Sequence, residues 1–231
     1  MNERYKLTKS VGTKAVEWIV DVIYPAKCLF CRRVIAERDA VTCDTCVMIT
    51  APADTDDDIA GVAAIYAACD YDGNARYTVH RFKYEGKRLL ARPMAAYLMS
   101  YIDIELYDML IPVPLHVKRK RERGYNQAAL LAWELAELTG IAAYDGLERI
   151  RETKQQYELS KEARLENIAG AFALHSGFDV AGKDVVLVDD VLTTGATAAE
   201  CAAVLMAGGA KSVGLVVFAA GDSRSYTALQ P

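Results

Sequence analysis

The sequence predicts an α/β protein with a mostly parallel sheet, and three observations support this class. From Ile59 onward, apolar runs that suit buried strands alternate with helical patterns, as expected for βαβ units. Apolar residues make up 52% of the chain and charged residues 25%, which excludes disordered and low-complexity classes. The length of 231 residues suffices for one α/β domain with a small appendage, but not for two catalytic domains.

The expected elements follow in chain order. Apolar residues recur every three or four positions between Val11 and Ile23, which predicts an amphipathic helix. A basic loop is expected after Pro114, which ends a short strand. The other predicted elements are a strand at 61–68, helices from residue 74 and over 92–102, a strand at 109–113, a helix over 126–138, a strand at 185–188, a helix to about 206 and a strand at 213–218.

An acidic linker, Asp54 to Asp58, predicts the domain division. Residues 1–58 are expected to form an N-terminal helix and a four-cysteine domain, and residues 59–231 to form the α/β domain. No stretch reaches the ~18 uninterrupted apolar residues of a spanning helix, so no membrane span is expected. The N-terminus also lacks the continuous apolar region of a secretory signal. The cytoplasm is therefore the expected location, where thiols stay reduced.

The formal net charge is −4, so any polyanion must bind to a local basic patch rather than to the protein as a whole.

Four cysteines form two CxxC pairs, Cys28 with Cys31 and Cys43 with Cys46, separated by residues 32–42. Two such pairs brought together make a cage of four thiolates, the ligand set of a structural zinc site. Iron also binds such a cage and remains the alternative metal. Because all four thiolates would be ligands, no coordination position is left for chemistry.

The most specific motif is the segment 185–197, Val-Val-Leu-Val-Asp-Asp-Val-Leu-Thr-Thr-Gly-Ala-Thr. The apolar strand delivers Asp189 and Asp190 at its carboxyl end, where open α/β sheets bind ligands. Two adjacent carboxylates suit a vicinal diol or a hydrated Mg²⁺. The following turn opens a helix whose unpaired N–H groups favour an anion. A ribose 5-phosphate unit carries both a diol and a phosphate. The residues of the turn are Thr193, Thr194, Gly195, Ala196 and Thr197.

This segment resembles the phosphoribosyl-pyrophosphate (PRPP) motif of type I phosphoribosyltransferases, and the whole chain resembles the ComF family. The second resemblance is carried by the CxxC pairs and by the segments 82–86, 111–114, 121–127 and 185–197. It implies a type I phosphoribosyltransferase-like fold, a Rossmann-like parallel sheet flanked by helices, preceded by a small zinc-ribbon-like domain. It also implies a role in natural competence and DNA uptake. Tyr125 is a mild departure, since phenylalanine is more usual there.

The resemblance also implies roles for individual residues. Asp189 and Asp190 would be the catalytic pair that holds the ribose diol. The basic loop would grip pyrophosphate, together with Mg²⁺, through Arg121 and Arg123. A mobile lid over 150–168 would exclude water from the reacting sugar. The candidate lid residues are Arg151, Gln156 and Arg164.

A second basic stretch, from Arg76 to Arg92, contains three interleaved aromatic residues. Positive charge and aromatic rings together are what a single-stranded nucleic acid requires, with Arg81 and Lys83 as the candidate contacts. The alternative is an ordinary amphipathic helix whose aromatic residues lie in the core.

Two functions are therefore carried forward. In the first, the protein binds PRPP or a related ribose 5-phosphate ligand and transfers the phosphoribosyl group to an unidentified acceptor. In the second, it is a non-catalytic adaptor in the transformation machinery that binds single-stranded DNA and partners a competence helicase.

Overall fold

The computed structural model describes residues 25–37, 40–50, 58–86, 88–102, 106–151 and 168–221. The helix predicted between Val11 and Ile23 lies outside these residues. Within them, no helix combines the length and the apolar character that crossing a bilayer requires.

Six strands are described. They are β1 (Ala64–Asp70), β2 (Met109–Pro112), β3 (Leu147–Arg149), β4 (Phe172–Leu174), β5 (Asp184–Leu192) and β6 (Ser212–Ala220). Strands β1, β6, β5 and β2 form, in that order, a sheet in which every pairing is parallel. Strands β3 and β4 form a separate antiparallel pair, which the sequence patterns did not predict. The predicted α/β class with a parallel sheet is confirmed.

The described helices are α1 (Asp44–Ile49), α2 (Gly73–Tyr84), α3 (Ala91–Leu98), α4 (Val117–Arg123), α5 (Gln127–Thr139) and α6 (Ala196–Ala207). Helix α5 shows how local sequence sets such bounds. The Asn126 side chain accepts a hydrogen bond from the N–H of Ala128, which caps the first turn. Gly140 ends the helix in the left-handed conformation, as a C-terminal glycine commonly does.

The basic loop predicted after Pro114 was wrong in its conformation, because this segment is helix α4. The His116 side chain accepts a hydrogen bond from the N–H of Lys118 and so caps the first turn. Gly124 ends the helix with φ at 77°. Histidine is not one of the residues that usually cap helix N-termini, and the run of basic residues obscured the helix.

The two faces of the sheet are covered by different sets of apolar residues, because successive side chains of a strand point to opposite faces. On β5, Val186 and Val188 pack into one cluster, whereas Val185 and Leu187 pack into the other. All four are fully buried. Such continuous apolar runs are typical of a parallel strand covered on both faces.

The four-cysteine segment packs into the first of these clusters. Phe30 has no exposed surface, and its ring meets that of Tyr97 edge-on, with centroids 5.2 Å apart. The Thr78 hydroxyl on α2 donates a hydrogen bond to the Leu29 carbonyl over 3.1 Å. The division into 1–58 and 59–231 stays a prediction, but the described residues on its two sides share one apolar cluster.

Candidate ligand-binding cleft and metal centre

The carboxylate pair lies at the carboxyl end of β5, the central strand that also pairs with β2 and β6. The buried run 185–188 fixes this strand in the sheet and delivers Asp189 and Asp190 to a cleft. Only 6% of the Asp190 surface is exposed. The strand therefore presents two neighbouring carboxylates, of which Asp190 is buried and Asp189 is partly exposed.

The turn 193–197 lines the same cleft and leads into α6. Gly195 precedes the helix with φ at 72°, in the left-handed region that favours glycine. A Cβ atom here would lie 2.9 Å from Cδ1 of Ile59, so the turn also packs closely. The N-terminal N–H groups of α6 have no partner within the helix, which suits this turn to a phosphate.

The cleft has a volume of about 450 Å³ and brings together motifs that are far apart in the sequence. The carboxylate pair and the 193–197 turn line it together with basic side chains from three elements, α2, α4 and β3. These basic residues are Lys83, Arg119, Arg123 and Arg149, and Glu122 on α4 also lines the cleft.

Only some of the basic side chains of helix α4 line the cleft. Arg119 and Arg123 are four residues apart, so they share a face, and both line the cleft. Arg121 points elsewhere and is exposed, so of the two predicted pyrophosphate contacts the structure places only Arg123 in the cleft. A role for Arg121 at the pyrophosphate remains untested, and the geometry offers Arg119 in its place.

Arg123 is held in position by two side chains. Its guanidinium donates hydrogen bonds to the Tyr84 hydroxyl and to Oε1 of Gln127, each over 3.2 Å. It also lies over the Tyr84 ring, with 5.0 Å between Cζ and the centroid. These contacts order the guanidinium before any ligand arrives, which lowers the entropy cost of binding an anion.

Arg149 on β3 is a cleft residue that the sequence analysis missed. Its guanidinium lies over the Phe172 ring, 5.4 Å from the centroid. Burial and the neighbouring charge of Arg119 lower its pKa to about 10. Because β3 and β4 carried no strong strand pattern, no sequence signal pointed to this residue.

Lys83 also lies in the cleft, where its ammonium pairs with Asp190 over 2.9 Å. Burial raises the pKa of Asp189 to about 7, and the charge of Asp190 adds to this rise while Lys83 opposes it. At neutral pH, Asp189 is therefore close to its pKa and only part of its population carries the charge. A carboxylate that keeps its charge can accept from two hydroxyl groups of a diol.

Arg81 and Lys83 were the predicted nucleic-acid contacts, and the structure separates them. Arg81 is only 6% exposed, lies 5.6 Å from the Tyr77 ring centroid and approaches Glu85 at 3.9 Å. Little of its surface is left for a polymer. Lys83 faces the cleft, so the two do not form a common track, and their contact with nucleic acid stays a prediction.

Among the predicted lid residues, Arg151 is exposed and donates a hydrogen bond to the Ala169 carbonyl over 2.6 Å. Gln156 and Arg164 lie outside the described residues.

The four predicted metal ligands do converge. The Sγ atoms of Cys28, Cys31, Cys43 and Cys46 all lie within 4.8 Å of one another, and those of Cys31 and Cys43 are 3.6 Å apart. Zinc bonded to sulfur at about 2.3 Å in a tetrahedron needs sulfur separations of about 3.8 Å. The cluster could therefore hold a metal ion, and four thiolates fit zinc or iron.

The two CxxC pairs differ in local structure. The first is a tight turn closed by the N–H of Cys28, which donates to the Arg33 carbonyl, and Arg32 there adopts a φ of 64°. The second pair starts helix α1, with Cys43 as its N-cap. A backbone hydrogen bond from Arg33 lowers the pKa of Cys31 to about 6, whereas burial raises the pKa of the Cys46 thiol.

A model of the phosphoribosyl transferase domain matches residues 123–228, which contain the carboxylate pair and the turn. The chain is also similar to curated proteins. It is 34% identical to the DNA utilization protein YhgH of Salmonella typhimurium over 158 residues, covering 64% of this chain and 68% of the relative.

Two relatives bear competence names. Identity is 34% to competence protein F of Haemophilus influenzae, covering 55% of this chain and 59% of that protein. The chain is also 32% identical to competence protein ComFC of Bacillus subtilis, covering 57% of this chain and 54% of that protein. With its phosphoribosyltransferase-type domain and its four-cysteine cluster, the chain belongs to the ComF family.

Proposed function

We propose that this protein binds PRPP, or a related ribose 5-phosphate ligand, in the cleft and that it is built as a phosphoribosyltransferase. The observation that carries this proposal is the arrangement of one cleft. Its lining combines the carboxylate pair, the turn 193–197 and a basic wall of four side chains, Lys83, Arg119, Arg123 and Arg149. A ligand with a diol, one phosphate and one diphosphate matches these three features.

Each part of the ligand has a chemically suitable partner. The Asp189 and Asp190 carboxylates accept hydrogen bonds from the two ribose hydroxyls. The turn 193–197 and the N-terminus of α6 donate to the 5-phosphate. Arg119 and Arg123 face the diphosphate with planar guanidinium groups, which bind phosphate oxygens in pairs.

In the proposed transfer, a nucleophilic atom of the acceptor bonds to the anomeric carbon as the bond from that carbon to the diphosphate oxygen breaks. The electron pair of the broken bond leaves with the diphosphate. Positive charge develops on the sugar, and the residues of the cleft contribute mainly by positioning and by electrostatic stabilisation. Magnesium, which the carboxylates and the diphosphate could hold through oxygen ligands, would supply charge for the leaving group.

Thermal unfolding with PRPP and magnesium tests the binding step. A ligand at 100 times its Kd adds about 2.7 kcal/mol of apparent stability to the wild type. The double variant Asp189→Asn/Asp190→Asn should lose this gain, whereas the exposed control Asp145→Asn should keep it. A wild type that does not respond to PRPP would remove the proposal.

Turnover is tested separately. The protein is incubated with PRPP, magnesium and cell extract, and pyrophosphate release is followed against the double variant. Release by the wild type alone supports transfer. Binding without release would leave a ligand-binding protein of phosphoribosyltransferase type.

The second candidate function is binding of single-stranded DNA, and one observation favours it. The outer side of α4 exposes three basic residues that do not line the cleft, namely Lys118, Lys120 and Arg121. Relatives named for DNA utilization and competence agree with this reading. A competence helicase as partner stays a prediction.

Fluorescence anisotropy with labelled single-stranded DNA over a range of salt concentrations tests the second candidate. The logarithm of affinity should fall with the logarithm of salt, with a slope of about −0.7 per phosphate contacted. The Lys120→Glu/Arg121→Glu variant should lower this slope, and the control Lys183→Glu, exposed elsewhere, should not. Affinity that does not vary with salt would argue against the DNA interface.

A further inference from the structure

We propose that Lys83 positions the ligand in the cleft and selects sugars with a diphosphate at the anomeric carbon over ribose 5-phosphate. This inference rests on the proposed function, because it assigns a partner to one part of the same ligand. It gives Lys83 a role that differs from the nucleic-acid contact predicted from its sequence context.

The backbone that carries Lys83 is anchored on both sides. Phe82 is completely buried, and its carbonyl accepts a hydrogen bond from the Tyr125 hydroxyl. Tyr84 accepts a hydrogen bond from Arg123, whose guanidinium also lies over its ring. The C-terminal end of α2, which carries Lys83, is thereby fixed beside Arg123.

The Lys83 ammonium joins the basic residues of the cleft to the carboxylate pair. Nζ lies 2.9 Å from Oδ1 of Asp190, and the side chains of the two residues are only 15% and 9% exposed. A nearly buried charge is costly unless it has a partner, so this ion pair is the stable arrangement without ligand. An ammonium has three donors, so it can contact Asp190 and a ligand oxygen together.

The position of Lys83 determines which part of the ligand it meets. With the 5-phosphate at the turn 193–197 and the diol at the carboxylates, the substituent on the anomeric carbon extends toward the basic wall. Lys83 contacts Asp190, and its chain neighbour Tyr84 accepts a hydrogen bond from Arg123, so we infer that Lys83 meets that substituent. Ribose 5-phosphate carries only a hydroxyl there and gains less from the ammonium than PRPP does.

If Lys83 had a purely structural role, the affinities for PRPP and for ribose 5-phosphate would change in a different way. If Lys83 served only to neutralise Asp190, its loss would disturb the diol contact that both ligands share. Both affinities would then fall together. The ratio of the two affinities therefore separates selection from simple support of Asp190.

The test is calorimetric titration of the wild type and Lys83→Met with PRPP and with ribose 5-phosphate, at a fixed magnesium concentration. A lost charge-assisted hydrogen bond should lower PRPP affinity by about 10- to 100-fold and ribose 5-phosphate affinity by less than about threefold. Lys83→Arg should restore most of the PRPP affinity, and the exposed control Lys183→Met should leave both affinities unchanged.

Equal losses for both ligands, or no loss for PRPP, would overturn the inference while leaving the proposed function intact. If the wild type itself binds neither ligand, the proposed function is what fails. Thermal unfolding without ligand monitors folding of each variant. Lys83→Gln, which keeps a donor but not the charge, provides the same comparison should Lys83→Met fail to fold.

Discussion

The ring of Phe30, inside the first CxxC pair, stacks on that of Phe218 at 6.0 Å between centroids and 28° between planes. Phe218 belongs to β6, whose side chains are buried along almost the whole strand. The four-cysteine segment thus inserts an aromatic side chain into the core of the α/β fold. Its stability and that of the sheet are therefore coupled.

Phe30→Ala should lower the free energy of unfolding by about 3–5 kcal/mol, because it removes a fully buried ring and leaves a cavity. Urea unfolding followed by circular dichroism measures the change. Val34→Ala is the matched control, since Val34 lies in the same segment but is 61% exposed. A loss below about 1 kcal/mol for Phe30→Ala would contradict the coupling.

Treatment of the zinc-loaded protein with a strong chelator should lower the melting temperature of the whole protein. Metal binding holds the thiolates together, and the segment they form contributes Phe30 to the shared cluster. Differential scanning calorimetry should show a single transition that moves to lower temperature and recovers when zinc is restored. Two separate transitions, with the larger one unmoved, would mean that the four-cysteine segment folds independently.

Arg32→Gly should stabilise the metal-loaded protein by up to about 1 kcal/mol. Arg32 holds a φ of 64°, and the left-handed conformation costs a residue with a Cβ atom about 1–2 kcal/mol. The greater freedom of glycine in the unfolded chain offsets part of this gain. Arg33→Gly is the control and should destabilise, because Arg32 is the one non-glycine with positive φ among the described residues. Equal effects of the two substitutions would argue against strain at Arg32.

The pH dependence of stability should reveal the raised pKa of Asp189. Its pKa is about 7 in the folded protein and about 3.9 in an unfolded chain. Between these values the folded state keeps a proton that the unfolded state releases, so the free energy of unfolding falls as pH rises and levels off above pH 7. At 1.36 kcal/mol for each pKa unit, the fall reaches up to about 4 kcal/mol.

Asp189→Asn removes this titration, so its stability relative to the wild type should rise from pH 4 to pH 7 in the absence of ligand. Urea unfolding at several pH values measures the difference. The exposed variant Asp145→Asn is the control and should follow the wild type. A difference between Asp189→Asn and wild type that does not change with pH would show that Asp189 ionises normally.

Sequence predicted those parts of the cleft whose geometry is local. The strand, the carboxylate pair and the turn are contiguous, so an apolar run followed by Asp189 and Asp190 was enough to place them at the end of a parallel strand. The convergence of the four cysteines could also be predicted from sequence, because the spacing of metal ligands restricts how the chain can close around a metal.

Contacts between segments that are distant in the chain could not be predicted from the sequence in this way. The choice between Arg119 and Arg121 depends on the helical phase of α4, and the sequence pattern predicts a loop here, which has no such phase. The approach of Lys83 to Asp190 depends on how α2 packs beside the sheet, which no local spacing encodes. Charge alone identified these basic segments, and only tertiary packing assigned their side chains to the cleft.

Gly195→Ala should abolish PRPP binding. It should also lower the free energy of unfolding by more than the cost of placing alanine in the left-handed conformation. Gly195 has a φ of 72°, and its added Cβ would lie 2.9 Å from both Cδ1 and Cγ1 of the buried Ile59. Gly140→Ala is a matched control, since Gly140 has a φ of 79° but no atom within 4 Å of an added Cβ. Both variants bear the conformational cost of about 1–2 kcal/mol, and only Gly195→Ala adds the steric clash.

The clash can be isolated with a double-mutant cycle. Ile59→Ala removes the opposing atoms, so Gly195→Ala should cost less stability in that background than in the wild type, by about 1–3 kcal/mol. Urea unfolding measures the four stabilities, and calorimetry with PRPP measures binding by both glycine variants. Gly140→Ala should bind as the wild type does, because it lies outside the cleft. Full PRPP binding by Gly195→Ala would show that the phosphate does not depend on the close approach of this turn.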